Sequence, residues 1–304
     1  MNQPENHPST ANRWWIYQRE RFPVIAHGIL IAAFSSCAVL YAAQLTHTRP
    51  APAAFLAAFI TSFLYFLQLR IADEFKDFEE DARYRPYRPV PRGLVKLSEL
   101  HSLFIFTAAI QLVVTLALHP PLIIFLLITW AYLTLMSVEF FARDWLKRRP
   151  ITYLWTHMLI MPLVDLHATA FQWMPDPGVT EKPIVGLAFF LIASFFNGIV
   201  IEVGRKLRQP AEEEPGVPTY SKLWGQRTAA TVWLACIFAT TTFAALAATR
   251  IDHLNFVLGI LAVPLILAII LATRFRQTTA KTYETASGIW TILLYLSLGI
   301  LSYL

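Results

Sequence analysis

The sequence predicts an all-α polytopic membrane protein, a single membrane domain over residues 1–304 with nine transmembrane helices. Two observations predict this class. Of the 304 residues, 56% are hydrophobic and only 15% are charged, whereas a soluble domain has about 25% charged residues. Nine apolar runs have the length of about 20 residues that crosses a bilayer. Helices are expected because lipid offers no partner for an unpaired backbone amide.

The elements follow one another in a regular order. Residues 1–22 are polar and contain both acids and bases, unlike a cleaved signal peptide, so this segment is predicted to be retained in the cytoplasm. Two of the links between apolar runs, 73–98 and 203–227, are long and polar, and we expect them to form caps on the cytoplasmic side. The apolar runs cover residues 24–44, 53–72, 99–118, 120–141, 151–175, 183–202, 228–247, 254–273 and 284–304.

The distribution of basic residues predicts the orientation. With the N-terminus in the cytoplasm, 22 of the 25 Lys and Arg residues lie on the cytoplasmic side, as the positive-inside rule requires. The C-terminus is then on the opposite side, and a bacterial inner membrane is the expected location. Because topology explains the basic residues, the net charge of +5 gives no support for a nucleic-acid partner. The cysteines, Cys37 and Cys236, are too few for a disulfide framework or a zinc site.

The two cap loops suggest an internal repeat. Each follows the second helix of a four-helix group, and the ninth helix is added to two similar halves. Two polar loops on one face would cover a shared central cavity.

The first cap loop begins with carboxylates at helical spacing. If the second helix continues past residue 72, then Asp73, Asp77 and Asp81 lie along one face, with Glu74 beside it. Carboxylates on one face repel each other. Mg²⁺ offsets this repulsion well, since it binds oxygen ligands and commonly takes one or two carboxylates plus substrate phosphates. The spacing therefore predicts a Mg²⁺ site at the membrane edge.

An alternative interpretation is a solvated helix with intrahelical ion pairs, such as Asp81 with Arg85. The segment that follows favours a phosphate site. RYRPYRPVPRG, residues 83–93, has four arginines, and its prolines restrict it to extended or turn conformations. Acids for a metal thus stand beside bases for an anion. Lys76 and Glu80 lie off the acidic face and are predicted to be solvated.

These residues resemble a motif of the UbiA superfamily of intramembrane prenyltransferases. Family members carry Asn-Asp-x-x-Asp-x-x-x-Asp after the second helix, followed by Arg-Pro-x-x-x-Gly. The counterparts here are DEFKDFEED, which starts at Asp73, and RPVPRG, which starts at Arg88. The acid spacing is the same, with Asp73 in place of the usual Asn and Glu74 in place of the usual Asp. The resemblance implies nine helices around a central cavity.

The resemblance extends to three other segments and implies roles for their residues. ERFPVIAHGIL is similar to the entry of the family's first helix, WLKRRPIT to a basic element between its fourth and fifth helices, and TYSKLWG to the end of its second motif. The implied catalytic residues are Asp77, Asp81 and Arg148, the implied metal ligands are Asp73, Glu74, Asp77, Asp81 and Glu202, and the implied diphosphate-binding residues are Arg21, Arg88, Arg149, Arg205 and Lys206.

The second motif differs from the family pattern. The family usually has a second acid-rich run, with aspartates about four residues apart. This chain has Glu202-Val-Gly-Arg205-Lys206, so one acid remains and Lys206 stands where a second ligand is usual. We expect the first motif to hold Mg²⁺, while Arg205 and Lys206 contact phosphate oxygens directly.

The implied function is Mg²⁺-dependent transfer of a prenyl group from an isoprenoid diphosphate to a lipophilic acceptor within membrane lipid. An aromatic, quinone-precursor-like acceptor is the commonest class in the family. Mg²⁺ and arginines would stabilise the charge of the departing diphosphate, and the proline-rich segment 84–93 would exclude water. Three alternatives stay open: an anionic or phosphate-bearing acceptor, a transporter or lipid-handling protein, and an inactive relative.

Polar residues within the apolar runs are candidates for the acceptor cavity. Charged groups at mid-bilayer cost roughly 2.5–3.5 kcal/mol on insertion scales. His157 and Asp165 are eight residues apart on one face of the fifth run, and Asn197 lies in the sixth run. Asp165 and His167 point about 200° apart on a helix, so they are not expected to share a pocket. The alternatives for these residues are interhelical hydrogen bonds or a position near the outer interface of the membrane.

Overall fold

The structure, a computed structural model, describes residues 9–179 and 183–303. Residues 1–8 of the predicted N-terminal segment, and Lys182 in the predicted outer link, lie outside the described residues. Within the described ranges every regular element is helical. The α-helices are α1 Thr10–Arg21, α2 Val24–Leu45, α3 Pro52–Lys76, α4 Phe78–Tyr84, α5 Leu97–Leu118, α6 Ile123–Ser137, α7 Arg143–Lys147, α8 Pro150–Met158, α9 Ile160–Trp173, α10 Ile184–Gly204, α11 Tyr220–Trp224, α12 Gln226–Ala248, α13 Leu254–Thr273, α14 Ala280–Leu298 and α15 Ile300–Tyr303. Three 3₁₀ turns, Pro120–Leu122, Glu139–Phe141 and Pro210–Glu212, connect them.

Eight helices of the described chain are long and apolar enough to cross a membrane. They correspond to eight of the nine predicted runs, and the prediction of an all-α polytopic membrane protein is confirmed. Proline and hydroxyl residues mark several starts: Pro52 opens α3, where its missing N–H costs nothing. The Thr279 hydroxyl accepts a hydrogen bond from the backbone N–H of Thr282 at the start of α14.

The fifth predicted run is divided into α8 and α9 at Leu159. Pro162 explains the break, since it has no N–H to donate to the carbonyl of Met158. The pair nevertheless runs the length of α3. Tyr153 in α8 accepts a hydrogen bond from Lys76 (3.2 Å), and Gln172 in α9 donates to the Arg49 carbonyl (3.0 Å), just before α3 begins. Neither piece is long enough to span alone, and the count of nine stays a prediction.

The spanning helices form a closed bundle. Each of α2, α3, α5 and α6 packs against the next, α6 packs on α9, and α9 packs on α10. The series continues through α12, α13 and α14, and α14 returns to pack against α2 and α10. Large buried side chains occupy the interior, among them Tyr41, Tyr65, Phe190 and Tyr295.

The amphipathic helix α1 covers the first cap loop at one end of the bundle. Arg13 donates two hydrogen bonds to the carboxylate of Glu99 (2.5 and 2.9 Å) at the start of α5. Tyr17 is buried in an apolar cluster with Val90 and Val95 of the loop. The N-terminal segment is therefore packed against the loop that carries the first motif.

Candidate active site

The first motif lies where α3 passes into α4. The backbone N–H of Asp77 donates to the carbonyl of Asp73 (2.9 Å), and that of Asp81 donates to the carbonyl of Asp77 (2.8 Å). The helical hydrogen bonds therefore continue through the joint, although α3 ends at Lys76 and α4 starts at Phe78. The expected continuation past residue 72 is present, in two helical pieces.

Two of the four acids are bound by arginines. Glu74 is buried and forms an ion pair with Arg21. Asp81, also buried, pairs with Arg88 at 2.5 Å and with Arg85 at 2.7 Å, and Arg21 lies 3.9 Å away. Arg21 and Arg88, predicted to bind diphosphate, therefore lie within the first motif, and they neutralise carboxylates that were predicted to bind metal.

The other two acids are more available. Asp73 is partly exposed and lies 3.3 Å from the Lys76 ammonium and 3.7 Å from the Arg70 guanidinium. Asp77 makes no ion pair or side-chain hydrogen bond within the described residues. Burial raises the pKa of Asp77 above its ordinary value. The Lys76 ammonium opposes this shift, and the nearby carboxylates of Asp73 and Asp81 add to it.

The second motif is a single acid held between two bases. Glu202, at the inner end of α10, contacts Arg205 at 2.5 Å and Lys206 at 2.8 Å. The pKa of the Arg205 guanidinium is raised, first by Glu202 and more weakly by Asp73. The Asp73 effect places the second motif within electrostatic range of the first.

The two arginines of the basic element before α8 make no ion pair with the acids of the two motifs within the described residues. Arg148 and Arg149 are exposed, and the Arg149 guanidinium stacks on the Trp145 ring, 4.4 Å from its centroid. Arg148 has no ion pair within the described residues. The neighbouring Lys147 pairs with Glu80 at 2.6 Å, and this hydrogen bond lowers the pKa of Glu80.

Three residues beside the motifs were not predicted as site residues. Lys76, expected to be solvated, has a side chain only 16% exposed, and its ammonium lies near Asp73, Glu139 and the Tyr153 hydroxyl. Arg143, four residues after Glu139, does not pair with it and donates to the backbone carbonyl of Lys76 (3.3 Å). A lone acid at the end of an apolar run was the available signal for Glu139.

The predicted acceptor residues lie in two places. His157 is at the inner end, with Nε2 3.3 Å from Glu139 Oε2. Deeper in the bundle, the Tyr295 hydroxyl donates to Asp165 (3.0 Å), and the Thr291 hydroxyl donates to Asn197 (3.1 Å). The interhelical hydrogen bonds considered as one alternative are therefore present.

His167 points elsewhere, as expected. Its Nδ1 lies 3.1 Å from the hydroxyl of Tyr65 on α3, whereas Asp165 faces α14. The two side chains of α9 do not share a pocket.

Comparison with known proteins identifies the family. A model of the UbiA prenyltransferase family matches residues 29–298. The chain belongs to the UbiA prenyltransferase family. The chain is therefore an integral-membrane enzyme that transfers alkyl groups. Members of this family act on isoprenoid diphosphates and lipophilic acceptors. No curated protein matches the chain closely enough in sequence to be counted as a relative.

Solved structures of UbiA proteins have the same fold. The apo structure of a UbiA homolog from Aeropyrum pernix K1 has a TM-score of 0.68 at 14% identity, over 90% of this chain and 98% of that one. A structure described as digeranylgeranylglyceryl phosphate synthase in membranes has a TM-score of 0.57 at 17% identity, over 96% of this chain and 97% of that one.

The donor set of this UbiA protein fits Mg²⁺ only in part. Within the described residues, no three acidic, histidine or cysteine side chains converge as a metal site. Asp73 and Asp77 are one helical turn apart. Asp77 has no ion pair in the described chain, and Asp73 is partly exposed although Lys76 and Arg70 lie 3.3 and 3.7 Å away. Such a pair suits a Mg²⁺ ion that keeps several waters and takes its remaining ligands from substrate phosphates. Glu74, Asp81 and Glu202 are each bound by the protein's own cations.

Proposed function

We propose that this UbiA enzyme transfers a prenyl group from an isoprenoid diphosphate to a lipophilic acceptor, with Mg²⁺ bound by Asp73 and Asp77. The observation that carries the proposal is the partly exposed Asp73–Asp77 pair at the membrane edge, with Arg205 of the second motif in electrostatic range. Mg²⁺ at this pair would neutralise charge on the departing diphosphate. Arg205 and Lys206 would contact phosphate oxygens while each remains paired with the Glu202 carboxylate.

Glu74 and Asp81 have a different proposed role. They hold Arg21 and Arg88 in place, and these arginines would stabilise developing negative charge from fixed positions. The cap loop between Tyr84 and Gly93 would exclude water from the allylic cation. For Arg148, the proposed catalytic role requires the exposed side chain to turn toward the site when the diphosphate binds.

An aromatic acceptor is the first proposal for the second substrate. Asp165 Oδ1 and Asn197 Nδ2 are buried polar atoms without a hydrogen-bond partner in the described chain. Because an unpaired buried polar atom is costly, these two atoms are available to a polar group of the acceptor. An anionic acceptor is the second proposal, favoured by the two bases that share a single acid in the second motif.

We also propose the orientation. The protein lies in a bacterial inner membrane, with its N-terminus on the cytoplasmic side and its C-terminus on the opposite side. The motif residues would then face the compartment in which water-soluble diphosphates are made.

The test is a turnover assay on the purified full-length protein in lipid. Radiolabelled prenyl diphosphates are offered with Mg²⁺ and with aromatic acids or phospholipid precursors as acceptors, and diphosphate release is measured. We expect Asp77→Asn to reduce turnover about 100-fold or more, the loss typical of removing one electrostatic contact to a transition state. Glu79→Gln is the matched control, since Glu79 is exposed on α4, two residues after Asp77. Absence of turnover with every donor would overturn the proposal.

A further inference from the structure

Lys76 lies beside Asp73, one of the two available acids of the first motif, and its ammonium is incompletely paired. It donates a hydrogen bond to the Tyr153 hydroxyl (3.2 Å) and lies 3.3 Å from Asp73 Oδ1. Its third neighbour, Glu139 Oε1, is 3.9 Å away, too far for a hydrogen bond. A lysine has three donors, so donor capacity remains on a cation directly beside Asp73.

Glu139 reaches this place through an uncommon backbone turn. Glu139, Phe140 and Phe141 all have left-handed φ values, of 51°, 52° and 55°. Each non-glycine residue in that conformation costs roughly 1–2 kcal/mol, and such strain persists only where the surroundings fix it. The turn brings Glu139 inward, where it is only 4% exposed.

Two side chains of α8 fix the Glu139 carboxylate. The Tyr153 hydroxyl donates to Oε1 (3.2 Å), and His157 Nε2 lies 3.3 Å from Oε2. The His157 ring is itself fixed, because Nδ1 is 2.8 Å from the Tyr153 carbonyl and the two rings stack at 3.8 Å. Glu139 and Tyr153 thus form a rigid wall that limits where the Lys76 ammonium can lie.

We propose that Lys76 is a further diphosphate-binding residue and that Glu139 is the positioning residue that holds it toward the site. The inference rests on the proposed function. A diphosphate bound at Asp73 and Asp77 would carry its oxygens past the Lys76 ammonium, and lysine binds phosphate well as a point charge. The long contact with Glu139 orients the ammonium without occupying its remaining donor.

Diphosphate binding tests the assignment independently of turnover. Inorganic diphosphate with Mg²⁺ is titrated into the purified full-length protein by calorimetry. We expect Lys76→Gln to weaken binding about 10- to 100-fold, the effect of one hydrogen bond to a charged group, and Lys76→Arg to retain most of the affinity. Lys147→Gln is the matched control, since it removes a lysine that pairs with the exposed Glu80, and its affinity should match wild type.

Glu139→Gln separates positioning from simple structural support. We expect a several-fold loss of diphosphate affinity that disappears when Lys76 is already Gln, because coupled residues are not additive. If Lys76→Gln does not fold, Glu139→Asp is measured instead, because the shorter side chain keeps the negative charge and changes the position of the carboxylate. Wild-type affinity in the folded variants, even with a lowered melting temperature, overturns the inference. A wild-type protein that binds no diphosphate overturns the proposed function instead.

Discussion

Asp77 is half-buried and makes no ion pair among residues 9–179 and 183–303, so its negative charge opposes folding. Its pKa is raised by burial above the ordinary value of 3.8. A raised pKa of an acid means that the folded state prefers the proton. The group therefore favours folding below pH 3.8, and this contribution is lost as the pH rises through the folded-state pKa.

A stability measurement without metal follows from this sign. We expect Asp77→Asn to melt at a higher temperature than wild type at pH 7, with the difference vanishing as the pH falls toward 3.8. Mg²⁺ with diphosphate should then stabilise wild type, by about 2.7 kcal/mol at a hundredfold excess over Kd, and leave the variant unchanged. Glu202→Gln is the contrast, because it breaks the ion pairs with Arg205 and Lys206 and should lower the melting temperature at pH 7. A lower melting temperature for Asp77→Asn would contradict the argument.

Spacing alone predicted which acids would lie together but not which of them are neutralised. The i, i+4 pattern places Asp73 and Asp77 correctly on one helical path. Arg21, which neutralises Glu74, is 53 residues away in sequence and arrives through the packing of α1. Lys76 and Glu139 meet for the same reason, at the joint between α3 and the turn after α6. No local pattern encodes such contacts.

At the scale of elements, the two cap loops meet at one point. Gly216, in the loop after α10, has φ +72°, and a Cβ built there would overlap the ring of Tyr84 at the end of α4. Glycine is therefore needed twice, for the left-handed backbone and for the close approach of the ring. We expect this contact between the two loops to close the site from the aqueous side.

Substitution at Gly216 should open this closure. Gly225 provides the matched control, since it has φ +79° with open space around the Cβ position. Alanine at either site strains the backbone by roughly 1–3 kcal/mol, but only Gly216→Ala also displaces Tyr84. We expect Gly216→Ala and Tyr84→Ala to raise the ratio of prenyl diphosphate hydrolysis to prenyl transfer, because water enters. Equal ratios for Gly216→Ala and Gly225→Ala would show that the contact does not seal the site.

The sequence predicts the boundaries of a helix where the length of an apolar run alone determines them. Eight predicted runs correspond to helical segments long enough to cross a membrane, because a bilayer-length apolar segment has few alternatives. The fifth run divided at Leu159, and Pro162 within it was the readable signal. The break has a consequence for the site, since it lets α8 follow its own direction, with Tyr153 and His157 against Glu139.

The whole molecule places both motifs at one end of the bundle. The first motif lies at the end of α3 and the second at the end of α10, and the Asp73 carboxylate contributes to the raised pKa of the Arg205 guanidinium. Since Tyr153 lies beside Lys76 and Gln172 beside Arg49, α8 and α9 together connect the motif end to the opposite end. If α8 and α9 together cross the membrane, the chain crosses it an odd number of times. This agrees with the predominance of Lys and Arg on the predicted cytoplasmic side.

Cysteine labelling of intact cells tests this topology. The natural cysteines are suited to it, since Cys37 is 0% and Cys236 is 9% exposed, so an impermeant maleimide should give little background. We expect Pro177→Cys, in the exposed link after α9, to be labelled in intact cells, and Glu79→Cys, beside the first motif, to be labelled only after permeabilisation. Labelling of both positions on the same side would mean that α8 and α9 do not cross. In that case α10 would carry Glu202 to the side opposite Asp73, so the two motifs could not act on one diphosphate.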